Sequence, residues 1–402
     1  MKYTAQEVIQ YVQEEDVKFI RLAFCDVYGR QKNLSIMPGQ LRRAFEDGMA
    51  FDASAIAGFG GAVRSDLFLR PDPATLAGLP WRPENGAVVR MFCDVIRPDG
   101  APFAADTRRL LRSAVETART AGYDFSFGPE MEFYLFKTDE TGAPTTEPFD
   151  RAGYMDISPA DRGENVRREI CLTLERMGIF PESSHHEEGP GQNEIDFRYA
   201  DPLKAADDAV TFRSVVETIA DRSGLCADFS PKPLSGFPGS GLHINLSARG
   251  GQGDLLPGIT AGLLAHIRQI TAFLNPCRDS YRRLGGSKAP GYVTWSGQNR
   301  SQLIRVPAAR GDYRRVELRS PDPTANPYLA FALLIHAALD GLQNQLPLPP
   351  SADLNLYEAP AEQLAHYERL PVSLEEARAA AAESEFVRAH VPEAILSAYG
   401  IR

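Results

Sequence analysis

Four short segments of this chain alternate apolar and polar residues with a period of two, and the polar positions carry ionisable groups. Phe127 to Phe133 places Glu130 and Glu132 on one face and Met131 and Phe133 on the other. Asn193 to Tyr199 offers Glu194, Asp196 and Arg198. Gly241 to Ser247 offers His243, Asn245 and Ser247, and Arg315 to Arg319 offers Arg315, Glu317 and Arg319. A period of two is strand geometry. Any one of these strands alone reads as half-solvated, the commonest fate of such alternation. Together they supply paired carboxylates, a lone imidazole and Arg-x-Glu-x-Arg, the parts of a site for divalent cations and phosphate. Hard oxygen ligands suit Mg²⁺ or Mn²⁺, and arginines neutralise phosphate oxygens.

The charge is divided along the chain in the same sense. Residues 130 to 200 carry a net −9, residues 275 to 320 a net +7, and the 402-residue chain −10. An acidic surface argues against wrapping nucleic acid or an anionic membrane. No run of about 18 apolar residues is present, and Tyr328 to Ile335 is interrupted by His336 and Asp340. The start lacks the basic-then-apolar order of a secretion signal, and the five cysteines form no Cys-x-x-Cys pair. A cytoplasmic protein with reduced thiols is expected.

The first hundred residues read as a β-rich unit, with strands over Val17 to Val27, Lys32 to Ile36 and Ala87 to Val95. Between them, residues 51 to 83 read as a long functional loop rich in Gly and Pro. Beyond Pro102, helices are expected from Asp106 to Gly122, from Ser158-Pro159 to Gly178, from Asp201-Pro202 to Gly224 and from Asn326-Pro327 past Leu342. Three of these place a cap residue before Pro at the first helical position. The fold class is α+β. Gly58-x-Gly60 lacks a third glycine and a clear preceding strand, which excludes a dinucleotide-binding turn.

The strings "FGPEMEFYLF", "HHEEGPGQNEIDFRYAD", "GSGLHINLS", "APGYVTWSGQNRSQLIRVPAARG" and "RRVELRSPDPTANPYLAFALL" resemble glutamine synthetase of the bacterial type I form, in the family's order and over almost the whole chain. The resemblance implies a small amino-terminal β-grasp domain (1–100) and a catalytic domain (101–402) whose curved antiparallel sheet forms a funnel. It implies rings of six in which the first domain of one subunit completes its neighbour's site. Glu130, Glu187 and Glu194 would hold one metal, and Glu132, His243 and Glu317 the other. Arg283, Arg300 and Arg319 would hold glutamate and its phosphorylated γ-carboxyl, with Gly239 at the substrate's α-end. Arg305 and Arg315 would face ATP phosphates, with Tyr199, Asn245 and Ser247 near the nucleotide, and Asp52 would bind ammonium.

Several positions depart from the family's pattern. Its flap carries Tyr-Glu-Ala-Pro, whereas this chain has Ser287-Lys288-Ala289-Pro290 in a segment one residue shorter. A cation there repels ammonium and, while protonated, is no base. Phe51-Asp52-Ala53-Ser54-Ala55 replaces Phe-Asp-Gly-Ser-Ser, Pro238-Gly239-Ser240-Gly241 replaces Asn-Gly-Ser-Gly, and Asn245 stands where many members have His. After one helix from Ser373 the chain stops at Arg402, short of the tail that ties two rings, so a double ring is not expected. Tyr357, which aligns with a tyrosine modified in some relatives, reads as a surface loop residue. Three functions are therefore in play: glutamine synthesis from ammonia, ligation of glutamate or a similar acid to a larger amine, and a silent metabolite-binding subunit.

Overall fold

The computed structural model describes residues 3–61, 63, 65–81 and 86–402. Two sheets divide the chain. The first has the order β2-β1-β6-β4-β3 and is built from β1 (Val17–Cys25), β2 (Gln31–Ile36), β3 (Met49–Asp52), β4 (Asp66–Pro71) and β6 (Ala87–Ile96), with β5 (Ala77–Gly78) added to β6. The first and last of these long strands pair in parallel while the rest pair antiparallel, and the helix Leu41–Glu46 lies between the two hairpins, a β-grasp arrangement. The stretch read as one long loop contains β4 and β5, and Pro83 lies outside the described residues.

The second sheet has nine strands: β7 (Tyr123–Thr138), β8 (Pro144–Pro148), β9 (Pro181–His186), β10 (Gln192–Phe197), β11 (Leu225–Asp228), β12 (Leu242–Gly250), β13 (Trp295–Gly297), β14 (Ile304–Val306) and β15 (Val316–Leu318). Its order is β13-β14-β15-β12-β7-β10-β9, with β8 and β11 also on β7. All its ladders are antiparallel except β13 to β14, so the sheet is mixed where the resemblance implied antiparallel pairing throughout.

The apolar face of this sheet fixes which way the charged face points. Phe127, Met131, Phe133, Ile195, Ile244, Val316 and Leu318 are buried, and Phe127 stacks on Phe331 of the helix Pro327–Gln343 with centroids 4.5 Å apart. Helices Thr107–Thr120, Pro202–Arg222, Leu256–Leu274 and Pro327–Gln343 form the layer behind it. Two of them touch backbone to backbone: a Cβ on Gly341 would come within 2.1 Å of the Gly258 carbonyl oxygen, so only glycine permits the contact.

The expected caps form at Asp106, Asp201 and Asn326. The helix expected from Ser158-Pro159 instead begins at Glu164, because Asp161 turns inward to pair with the buried Arg167 and accepts the Gly163 N–H. The tail carries three short helices in place of one, Leu374–Glu383, Glu385–His390 and Glu393–Ala398. Among the described residues, no helix is long and apolar enough to cross a membrane.

Candidate active site

Strand register assembles the charged face row by row. His243 lies opposite Glu130, and Asp196 opposite Glu130 on the other side. Glu132 lies opposite Glu194, which in turn faces His185. Glu317 lies opposite Asn245 on one side and Arg305 on the other. Because side chains alternate, one register places every one of these groups on the same face. Apart from Asn245 and from Glu317, which is buried against Arg305 and Arg319, they line a cavity of about 760 Å³, together with Glu187, Glu188, Gly239, Arg283, Lys288, Arg300, Arg315, Arg319 and Tyr357.

Potential ligand atoms of Glu130, His243 and Glu317 lie within 4.8 Å of one another, as do those of His185, Glu187 and Glu194. The expected grouping was Glu130 with Glu187 and Glu194, and Glu132 with His243 and Glu317; in the structure Glu130 closes with His243 and Glu317 and also with Glu194 and Asp196. His243 reaches Glu130 at 3.7 Å through Nδ1 and Glu132 at 4.0 Å through Nε2, so it stands between them, but only Glu130 closes the group with Glu317. The reason is register: Glu130 is the cross-strand partner of His243, and Glu132 sits one step further along, beside Glu194.

The carboxylates are differently held. Glu132 Oε2 accepts from Gln192 Nε2 (3.0 Å) and from the Gly241 N–H (2.9 Å). Glu317 accepts from Arg305 Nε at 2.6 Å through one oxygen and from Arg319 through the other. Burial raises the Glu317 pKa, but Arg319, His243 and Arg305 outweigh it and bring it down to about 2. Glu194 shows the opposite balance: burial, then the charges of Glu132, Asp196 and Glu130, push its carboxyl well above the usual range. Burial, then the charge of Glu130, raises Asp196 as well, and its Oδ1 is buried with no hydrogen-bond partner. Such crowding of hard oxygen donors is what a divalent cation relieves, and with His243 the donor set fits Mg²⁺ or Mn²⁺.

Behind Glu187, His186 is fully buried and bridges the Glu187 carbonyl (2.6 Å) and Asp150 (2.8 Å). His185 contacts the Glu187 carboxylate at 2.8 Å. Gln192 ties the surrounding turns together, accepting from the Gly189 N–H and donating to the Gly239 carbonyl. Gly239 has no room for a side chain, since a Cβ would lie 2.2 Å from the Pro231 carbonyl oxygen and 2.9 Å from Arg283 Cγ. Pro238 gives its carbonyl to the Tyr134 hydroxyl at 2.6 Å. Arg283 is buried beneath, donating to the Ser320 and Arg319 carbonyls, and burial lowers its pKa.

A second, smaller cavity of about 110 Å³ shares Glu130, Asp196 and Arg315 with the first and adds Tyr199, Asn245 and Ser247. Asn245 links the two: its Nδ2 donates to Glu130 Oε1 (2.7 Å), and its Oδ1 accepts from Arg315 Nε (2.7 Å).

Glu317 is buried just behind the lining, against Arg305 and Arg319, and fourteen of the sixteen expected site residues line one of these two cavities. Asp52 does not. It is exposed at the end of β3, accepting from the Ser54 N–H (2.9 Å) and hydroxyl (2.7 Å). Tyr357, read as a surface residue, lies on the cavity wall with its hydroxyl 3.2 Å from the Arg300 carbonyl. His185, Gln192 and Tyr154 were not singled out from the sequence, although the first two fall inside the string from His185 to Asp201 and their proximity to Glu187 and Glu194 was the available signal.

Residues 16–98 match the family model "Glutamine synthetase, beta-Grasp domain", and residues 104–400 match "Glutamine synthetase, catalytic domain". The glutamine synthetase of Clostridium saccharobutylicum is 47% identical over 370 residues, 89% of this chain and 84% of that protein. That of Methanosarcina mazei is 45% identical over 412 residues, 98% and 92% of the two chains. Among solved structures, a GmaS/ADP complex in its conformation 1 superposes with a TM-score of 0.87 at 29% identity, covering 99% of this chain and 94% of that one. GmaS without ligand gives 0.86 at 30% identity, covering 98% and 93%.

Proposed function

The chain belongs to the glutamine synthetase family, and from that premise we propose that it joins the γ-carboxyl of glutamate to ammonia at the expense of ATP. The observation that carries this reading is that two carboxylate-and-imidazole groups, complete but for the buried Glu317, and five arginines line one 760 Å³ cavity. A carboxylate is a poor electrophile and must first receive the γ-phosphoryl group of ATP; the amine then attacks the carbonyl and phosphate leaves.

In this scheme Arg305 and Arg315 face the nucleotide's phosphates. Arg283, Arg300 and Arg319 hold glutamate and the charge that develops on its activated carboxyl, the preorganised donors such a transfer needs. Tyr199, Asn245 and Ser247 line the smaller cavity as the nucleotide's end. Glu130, His243 and Glu317 would hold one divalent cation, and Glu132, Glu187 and Glu194 a second, with Glu132 offering the oxygen that Gln192 and Gly241 leave free. Mg²⁺ or Mn²⁺ bound there would neutralise phosphate charge and polarise the transferred group.

We assign residues 1–100 and 101–402 to two domains, supported by the two separate sheets. We also assign homo-oligomeric rings of six, in which Asp52 serves a neighbour's cavity. Its exposure and its absence from the cavity lining of its own chain support this. Size measurement in solution should give six subunits or a multiple of six; a stable monomer or dimer contradicts it. A cytoplasmic location belongs to the same reading, supported by five free cysteines.

A second reading is favoured by Lys288 on the cavity wall: ligation of glutamate to a larger amine. ATP-dependent phosphate release decides between the readings, measured with glutamate and ammonium and then with a panel of acids and amines. Release with glutamate and ammonium is expected. Release only with a larger amine favours the second reading, and none with any pair in the presence of Mg²⁺ removes both.

A further inference from the structure

Lys288 stands where a carboxylate was expected, and the fold gives it a partner across the cavity. Its ammonium group lies 2.8 Å from Glu188 Oε1, and both residues line the 760 Å³ cavity. The turn that carries Lys288 is tight. Its φ is 64°, a region few non-glycine residues adopt, and the turn is closed by Gly285 N–H to the Pro290 carbonyl and Ala289 N–H to the Gly286 carbonyl. Glu187, held by His185, and Tyr154, packed edge-on against the His185 ring at 5.4 Å, line the same part of the wall. A primary ammonium seated on a carboxylate beside Glu187 is the environment a protonated amine substrate requires.

We propose that Glu188 is the rim carboxylate that receives the incoming ammonium ion, and that Lys288 is a tethered competitor for it, making the pair a specificity gate for the amine. The inference rests on the ligase reading given above. Both side chains are about half exposed, 57% for Lys288 and 40% for Glu188, so solvent screens the pair and a free cation can displace it. The tether nonetheless presents Lys288 at an effective concentration on the order of millimolar. Ammonium must therefore compete, and a closed-to-open ratio of about one to five raises the apparent KM for ammonium about two- to six-fold. Lys288 acts on binding through Glu188 and takes no part in bond making.

The test uses the full-length enzyme, with ammonium chloride varied at saturating ATP, glutamate and Mg²⁺, and phosphate release as readout. Lys288→Met and the equally neutral Lys288→Gln should lower the KM for ammonium two- to six-fold while the KM for ATP stays put. Lys288→Arg, which keeps a cation on the tether, should not lower it, and Glu188→Gln should raise it. An unchanged or raised KM in both neutral variants overturns the gate, as does an equal fall in Lys288→Arg. Absence of phosphate release from the unmodified enzyme with any amine would instead count against the ligase reading, so the two failures are distinguishable.

Discussion

The floor and the rim of the cavity are built differently. Glu130, Glu132, Glu194, His243 and Glu317 stand on adjoining strands whose ladders leave no freedom of register. Glu188, Gly239 and Lys288 stand on turns, and Lys288 and Glu188 meet as an exposed pair. The floor's groups are buried at Glu194, His243 and Glu317, half-buried at Glu130 and Glu132, and interlocked, so moving one disturbs several. The rim's groups hold one another through contacts that water can replace. Activation of a carboxylate, which tolerates little misplacement, is assigned to the floor, and choice of the amine to the rim.

The largest test of that division is Glu317→Ala. It leaves Arg305 and Arg319 without their shared carboxylate, so stability to urea should fall by about 3–5 kcal/mol and phosphate release by roughly a thousandfold or more. Activity within tenfold of the parent would erase the distinction between floor and rim. A pH series probes the same residue. The folded pKa of Glu317 is depressed to about 2 from an ordinary 4.5, so its contribution is complete above the unfolded value and is lost as pH falls from about 4.5 to about 2. The stability gap between the parent and Glu317→Gln should therefore shrink across that window by on the order of 3 kcal/mol. A gap independent of pH there would mean that the two arginines do not hold the carboxylate ionised.

Gln192→Ala lies at the junction between the regions, since its side chain joins Glu132 to the turns at Gly189 and Gly239. Calorimetric titration with Mn²⁺ should show affinity weakened about 10- to 100-fold, as expected for a group that orients a ligand. Unaltered affinity would show that strand register alone positions Glu132. The smallest effect belongs to the rim. Lys288→Glu should lower the ammonium requirement a few-fold, by replacing a competitor with a carboxylate, and a raised requirement would place amine choice elsewhere.

This contrast also governs what could be read from the sequence. Alternation with a period of two was enough to place Glu130, Glu132, Glu194, His243 and Glu317 on one face, because a strand offers only two faces. It did not reveal which carboxylate meets His243, since pairing between β7 and β12 is a tertiary fact, and the grouping that the resemblance implied follows no such register. The caps at Asp106, Asp201 and Asn326 were legible because they are local, whereas the start of the helix Glu164–Arg176 depended on its own Arg167 being buried between Asp161 and the distant Asn193. Lys288 was visible as a departure, but its partner Glu188 was not, because one hundred residues of chain separate the two. Tyr357 gave no signal of reaching the cavity wall, as its neighbours form a loop with no periodicity.

Strand β7 runs for 16 residues, carries both Glu130 and Glu132, and pairs with β8, β10, β11 and β12. No ladder on it involves residues 284–290. Evolution can therefore edit the rim without touching the strand that bears the reactive machinery. A lineage could be redirected to a new nitrogen donor by a handful of changes in one short turn, with its capacity to activate a carboxylate inherited intact.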